Sequence, residues 1–153
     1  MAVGAVILFV ASNLISYLRR PEVVEQTLPV QHLPLLDGSD FFIEKNRPVM
    51  IHFWATWCPA CRMEAANIER LSHTYEVVTV AVNSGDESAL KSYLKKRGLT
   101  FRVVNDATGE IAERFGVKAF PTTFIYDRKG MVAFTEVGYT TTAGLMARMA
   151  LVK

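Results

Sequence analysis

The 153-residue sequence has only two cysteines, at positions 58 and 61. Small secreted domains that rely on disulfides spread several cysteine pairs along the chain, so this sequence does not belong to that class. A net charge of only +2 argues against nucleic-acid binding. A closed zinc site needs two further ligands at suitable spacing, and the histidines His32, His52 and His73 are not paired. We therefore expect no metal site.

Apolar runs that approach bilayer thickness are absent except at the N-terminus, where residues 2–18 carry no charge. As a helix this run would span about 26 Å, slightly less than a bilayer core. No clear cleavage site for a signal peptide is present, and Arg19 and Arg20 follow directly. We favour an uncleaved transmembrane helix at 1–18 over a cleaved signal peptide, with a linker at 19–31 and one domain at 32–153.

The domain alternates strand and helix patterns. Apolar and alternating runs predict strands at 49–54, 77–82, 101–104, 122–126 and 131–137, after a hairpin at 33–43. Helical spacing predicts helices at 59–73, 87–97, 109–115 and 142–151, the second opened by a Ser84–Glu87 capping box. This order predicts an α/β sandwich with a mixed central sheet flanked by helices.

The two cysteines form one Cys58-Pro59-Ala60-Cys61 motif between a predicted strand and a predicted helix. Backbone N–H groups and the helix dipole favour a thiolate at Cys58, so we predict that it is exposed and acts as the nucleophile. Cys61 lies one turn later and is predicted to resolve the mixed disulfide. A copper-binding C-x-x-C module and a purely structural disulfide remain alternatives, because Cu(I) accepts few soft ligands.

Two segments carry a family resemblance. Residues 53–62, FWATWCPACR, resemble the active-site signature of thioredoxin-like proteins, closest to the membrane-anchored TlpA/ResA/DsbE branch. Residues 120–124, FPTTF, resemble the loop in which that family has a cis-proline. The stretch between them resembles an insertion typical of that branch. The whole layout is similar to ScsD-type proteins, of the suppressor-of-copper-sensitivity group.

The resemblance implies roles for residues around the two cysteines. Pro121 would be the cis-proline, and Phe120 would offer backbone groups to an extended substrate. Trp54 would pack beneath the redox loop and Trp57 would lie at its rim. The dipeptide Pro59-Ala60 differs from that of typical thioredoxins and from that of strong oxidants.

Two further positions are candidates for supporting roles. His52 stands where thioredoxin-like reductases often have a buried acid, six residues before the first cysteine. It is predicted to accept a proton from Cys61, or else to be a buried neutral histidine bonded to backbone. Glu64 matches an acid of this branch, with a solvent-facing glutamate that complements the helix dipole as the alternative.

The resemblance also implies partners and location. It implies a reductant of protein disulfides, recharged by a DsbD-like transmembrane donor, with no cofactor beyond the Cys58–Cys61 disulfide. The location would be the inner membrane, single-pass, with the domain facing the periplasm. Because Arg19 and Arg20 favour the opposite orientation, we expect an in-frame basic extension upstream. Cytochrome c maturation, a DsbA-like oxidant, a copper-binding module and a redox-inactive scaffold are the alternatives.

Overall fold

A computed structural model describes residues 27–44 and 46–152. Strands and helices alternate through most of this part, as the sequence predicted. Their bounds are β1 His32–Pro34, β2 Asp40–Phe42, β3 Val49–Trp54, α1 Pro59–Ser72, β4 Val77–Val82, α2 Glu87–Arg97, β5 Val103–Asp106, α3 Glu110–Arg114, β6 Thr122–Tyr126, β7 Val132–Val137 and α4 Thr142–Leu151.

Five strands form one mixed sheet in the order β5-β4-β3-β6-β7, and β1 pairs with β2 in a separate hairpin. β3, β4 and β5 are parallel, whereas β6 runs antiparallel to β3 and β7 antiparallel to β6. All residues of β3 and β4 are buried. Since both faces of a parallel sheet are covered, its strands have continuous apolar runs rather than alternation. The predicted mixed central sheet is confirmed.

The two faces of the sheet pack against different elements. One face, which includes Met50 and Trp54, packs with buried side chains of α1, α2 and α4 that include Cys61, Ile68, Leu90 and Leu145. The other face packs with α3 and the β1–β2 hairpin through Ile51, Phe53, Ala112, Phe115, Leu33 and Phe41. The helices and hairpin thus enclose the sheet, and the redox helix α1 lies on the face of Met50 and Trp54.

The start of α2 differs from its prediction. Asp86 is the N-cap residue, and its Oδ1 accepts a hydrogen bond of 2.8 Å from the Ala89 N–H. Ser84 instead accepts a hydrogen bond from the Thr56 N–H and donates one to the Val82 carbonyl. The predicted Ser84–Glu87 capping box is therefore wrong. A carboxylate directly before the helix satisfies an N–H group and complements the dipole.

Helical spacing in the sequence predicts that Cys61, Ala65, Ile68 and Leu71 form the buried stripe of α1, but Glu64 is buried in place of Ala65. Both positions fit helical spacing. Glu64 lies three residues after Cys61 and four before Ile68, whereas Ala65 lies four residues after Cys61 and three before Ile68. A contact to the segment before α4, described below, selects Glu64. The periodicity of the helix alone did not distinguish the two positions.

The strand predicted at 101–104 is shifted, since β5 spans Val103–Asp106. Phe101 packs in the core beside Trp54, and the ladder with β4 begins where Val103 faces Thr79. The apolar character of Phe101 therefore serves side-chain packing before the strand begins.

The transmembrane helix predicted at 1–18 lies outside the described residues. Within 27–44 and 46–152, none of the helices has the length and apolar character needed to cross a membrane. Near the end of the predicted linker, Thr27 forms a bridge with Met131, and the Leu28 N–H donates to the Gly130 carbonyl. The chain thus joins the domain beside the β6–β7 turn. This is the end of the sheet at which β3 starts, opposite the end that leads to Cys58.

Candidate active site

The redox loop connects the end of β3 to the start of α1. Cys58 is the N-cap residue of α1, and its Sγ accepts a hydrogen bond of 3.2 Å from the Cys61 N–H. Pro59 occupies the first turn, where a missing N–H costs nothing. Cys58 and Cys61 form a disulfide, with 5.3 Å between their Cα atoms.

The electrostatic setting of Cys58 favours an anion on its sulfur. The sulfur lies at the N-terminus of a fourteen-residue helix whose first turn contains no acidic residue. The helix dipole and the Cys61 N–H therefore both stabilise negative charge on Cys58 Sγ. Cys58 and Cys61 are only 5% and 3% exposed. The expected exposure of Cys58 is not present in the disulfide form, so helix position rather than accessibility distinguishes the two sulfurs.

The cis-proline loop lies against the redox loop. The Phe120–Pro121 peptide bond is cis. The Phe120 ring contacts the Trp57 ring edge-on, with 5.7 Å between their centroids. The Pro121 carbonyl accepts a hydrogen bond of 2.8 Å from the Gly138 N–H. The fold thus brings together three segments that are far apart in sequence: the redox loop, the cis-proline loop and the segment after β7.

The two tryptophans of the motif lie in different environments. Trp54 is buried and packs against Tyr93 and Phe101. Trp57 is 57% exposed, and its Nε1 donates a hydrogen bond of 3.1 Å to the Asn83 carbonyl. Since its polar atom is held, Trp57 presents its ring to solvent at a fixed position beside the disulfide.

His52 is buried on the same face of β3 as Met50 and Trp54, which is the face that α1 covers. Its Nδ1 lies 2.8 Å from the Thr123 Oγ1, across the β3–β6 pair. Burial lowers the pKa of His52 to about 3, so the imidazole is neutral at physiological pH. Its partner is a hydroxyl group rather than the backbone that one sequence-based interpretation expected. The Nδ1 contact leaves Nε2 for a second partner.

Glu64 is fully buried, which contradicts the solvent-facing alternative. Its Oε1 accepts a hydrogen bond of 3.0 Å from the Thr140 N–H. Its Oε2 is buried without a hydrogen-bond partner among the described residues. Burial raises the pKa of this carboxyl to about 8, and the nearby Glu136 carboxylate adds to the increase. Glu64 therefore links α1 to the segment before α4 as a mostly protonated acid at neutral pH.

Sequence reasoning missed several residues that shape this site. Ser84 holds the Thr56 N–H of the redox loop, and Asn83 holds Trp57. Both follow the carboxyl end of β4, the edge of a parallel sheet where sites form, and this position was the available signal. Tyr139, which was also missed, follows β7. In the described part of the chain, His, Cys, Asp and Glu side chains do not gather in groups of three that could hold a metal ion.

Comparison with known proteins adds an independent observation. The AhpC/TSA family profile matches residues 23–135. A thioredoxin-like protein of Haemophilus influenzae is 35% identical over 144 residues, covering 92% of this chain and 85% of that protein. The thiol-disulfide oxidoreductase ResA of Geobacillus thermodenitrificans is 29% identical over 136 residues, covering 85% of this chain and 78% of that protein.

A solved structure is similar to this chain in fold as well as in sequence. The crystal structure of StoA from Bacillus subtilis has a TM-score of 0.70 at 26% identity, and the match covers 80% of this chain and 98% of that one. The similarity in fold therefore extends over most of this chain.

Proposed function

We propose that this chain, which belongs to the AhpC/TSA family, is a membrane-anchored, periplasm-facing enzyme that reduces protein disulfides and is recharged by a DsbD-like donor. The chain is a thioredoxin-like thiol–disulfide oxidoreductase of the ResA, DsbE and StoA type, and its substrates are protein thiols and disulfides.

One observation carries the proposed chemistry: Cys58 Sγ lies at the N-terminus of α1, beside the loop of the cis Phe120–Pro121 bond. In the reduced enzyme, the Cys58 thiolate attacks one sulfur of a substrate disulfide and releases the other sulfur as a thiolate. Cys61 then loses its proton and attacks Cys58 Sγ in the mixed disulfide. The substrate leaves with both sulfurs reduced, and the Cys58–Cys61 disulfide is reduced again by two electrons from the donor.

The place where the chain joins the domain supports a tethered arrangement. Eight residues, 19–26, separate the predicted anchor from Thr27, a reach of at most roughly 30 Å. Thr27 joins the domain at the end of the sheet opposite Cys58, and β3 alone spans roughly 20 Å between these ends. A tether at this end leaves the redox loop accessible to both a donor and a substrate.

We expect the Cys58–Cys61 pair to be mostly reduced in cells, because a reductant is kept as a dithiol by its donor. Acid quenching followed by alkylation with a large maleimide separates the two forms of the full-length chain by gel mobility. Deleting the DsbD-like donor should shift the pair to the disulfide. A double Cys58→Ser, Cys61→Ser variant gives the mobility of a chain without thiols.

The same labelling distinguishes the alternatives. A pair that is mostly oxidised in the presence of the donor would contradict a reductant and favour the DsbA-like oxidant. A membrane-impermeant maleimide applied to spheroplasts tests the location, since a cytoplasmic domain would stay unlabelled until the membrane is lysed.

We also propose that His52 accepts the proton of Cys61 in passing during resolution, since it lies on the face of β3 that α1 covers and its imidazole is neutral. Because burial lowers the pKa of His52 to about 3, the imidazolium releases this proton at once rather than holding it. His52→Phe should slow release of the mixed disulfide most at low pH, where Cys61 ionises least without a base, while attack by Cys58 keeps its rate. Rapid-quench measurements of both steps between pH 5 and 9 provide the check. Thr123→Val is the matched control, because it removes the hydroxyl partner but keeps the imidazole. A pH profile identical to that of the unmodified chain would rule out the proton transfer.

A further inference from the structure

We propose that Tyr139, held in place by Asn67, selects substrates that have a large apolar side chain about three residues from the attacked cysteine. The occupant of this surface is an extended segment of the substrate protein. The inference rests on the proposed function, because it concerns the same redox site. It adds a specificity-determining residue next to the contact between Gly138 and Pro121 of the cis-proline loop.

The backbone places Tyr139 next to the cis-proline loop. The Gly138 N–H donates to the Pro121 carbonyl, so the residue after Gly138 follows directly on this contact. Tyr139 is 51% exposed. An extended substrate that lies along Phe120 and Pro121 would therefore pass towards Tyr139 at one end and Trp57 at the other.

Hydrogen bonds to Asn67 on α1 fix the position of Tyr139. The Asn67 Nδ2 donates to the Tyr139 Oη at 3.3 Å and to the Thr140 carbonyl at 3.0 Å. The Asn67 Oδ1 accepts a hydrogen bond of 2.8 Å from the Thr142 Oγ1. The amide is thus oriented by contacts at both of its polar atoms. A ring held by its polar end loses little side-chain entropy when a ligand covers its apolar faces.

Tyr139 and Trp57 are held in the protein in the same way. Each ring is more than half exposed, and each has its polar atom bound to the protein, Trp57 through Asn83. When an apolar side chain covers an exposed aromatic ring whose polar atom is already hydrogen-bonded, the free energy of the complex is lowered. The two rings are joined by Phe120, Pro121 and Gly138, so they form one continuous strip with the site of disulfide exchange.

The helix rise between Cys58 and Asn67 indicates how many residues separate the attacked cysteine of the substrate from the side chain that contacts Tyr139. Asn67 lies nine residues after Cys58, which corresponds to about 13 Å of helix rise. Four residues of extended chain span about this length, and the Tyr139 ring extends from Asn67 back towards its own backbone, so we place the contacted substrate residue nearer than four positions from the attacked cysteine. Three residues of extended chain span about 10 Å.

The charges near the strip favour acidic over basic substrate segments. The exposed charged side chains nearest in sequence to the two cysteines and to the cis-proline are Arg62 and Lys118. The acidic residues beside Tyr139 do not oppose them, since Glu64 is buried and Glu136 accepts a hydrogen bond from Arg148. The substrate class is therefore an extended, apolar and non-basic segment that contains a disulfide-bonded cysteine.

The test uses the reduced full-length chain in detergent micelles and three acidic peptides, each with one cysteine activated as a mixed disulfide with a chromogenic thiol. The peptides have leucine three residues before the cysteine, leucine three residues after it, or serine at both positions. Single-turnover rates at increasing peptide concentration separate binding from chemistry.

We expect the unmodified chain to bind one leucine peptide about tenfold more tightly than the serine peptide, the factor expected for partial burial of a leucine. Tyr139→Ser should remove this preference with less than a twofold change in the saturating rate, whereas Tyr139→Phe should keep most of it. Met146→Ser, at an exposed apolar residue of α4, is the matched control and should keep all of it.

The outcomes distinguish this inference from the proposed function. Equal binding of all three peptides, or a preference that survives Tyr139→Ser, would overturn the role of Tyr139 while leaving disulfide exchange intact. Release of no chromogenic thiol from any peptide would contradict the proposed function itself. Far-ultraviolet circular dichroism and release of the chromogenic thiol from the serine peptide show that Tyr139→Ser is folded and that its cysteines are reactive.

Discussion

Cys58→Ser is expected to decrease disulfide turnover by at least about a thousandfold, because a serine hydroxyl does not ionise near neutral pH and leaves no nucleophile at the N-terminus of α1. Cys61→Ser should lose turnover as well but still attack its substrate. It should therefore accumulate a mixed disulfide, because the variant has no second thiol to resolve it. Reduction of insulin by the full-length chain measures turnover, and mass spectrometry of alkylated samples detects the mixed disulfide.

The pair of variants tests the assignment of the two sulfurs, because both are almost equally buried in the disulfide form. The assignment rests on the position of Cys58 as the N-cap residue of α1 and on the hydrogen bond from the Cys61 N–H. Accumulation of a mixed disulfide by Cys58→Ser instead of Cys61→Ser would reverse the roles. If the unmodified chain binds copper but shows no turnover, the copper-binding module is favoured. If it shows neither copper binding nor turnover, the redox-inactive scaffold is favoured.

Glu64→Gln is expected to remove a large part of the pH dependence of stability. The pKa of Glu64 is raised from its ordinary value of 4.5 to about 8, so between these values the folded chain holds a proton that the unfolded chain has released. The free energy of unfolding therefore decreases as pH rises through this window, by an amount on the order of 4 kcal/mol from this group. Glutamine resembles the protonated acid and can keep the acceptor for the Thr140 N–H.

Urea unfolding of the oxidised full-length chain in detergent at pH 5, 7 and 9 measures this effect. The disulfide form is used because its two cysteines do not titrate. The variant should match the unmodified chain within about 1 kcal/mol at pH 5 and exceed it by several kcal/mol at pH 9. Glu110→Gln, at an exposed residue of α3, is the control. A constant difference between Glu64→Gln and the unmodified chain across this range would show that the carboxyl is not protonated in the folded state.

Much of the fold follows from local patterns in the sequence. The apolar runs of β3 and β4 and the turn between β6 and β7 were placed correctly because each depends on residues close together in the chain. The motif of Cys58 and Cys61 likewise determined a strand, a turn and a helix in that order. The resemblance to thioredoxin-like proteins added the cis bond before Pro121, which periodicity does not encode.

Other features depended on contacts between distant segments. The spacing of α1 allowed either Glu64 or Ala65 to face the core, and the Thr140 N–H, 76 residues away, decided in favour of Glu64. Ser84 had the residue type of a helix cap, yet the Thr56 N–H engaged it instead. The partner of His52 is Thr123, 71 residues further along. Hydrogen-bond partners at such separations are set by how the sheet and helices pack.

The sequence by itself thus determined the chemistry of this protein: two thiols at the start of a helix, and a proline loop that matches them. Only the tertiary structure decided what surrounds that chemistry, including the buried acid Glu64, the neutral His52 and the exposed ring of Tyr139. The physical reason is that secondary structure and helix-end electrostatics arise from neighbouring residues. Burial and polar pairing arise from the packing of segments that the chain itself keeps far apart.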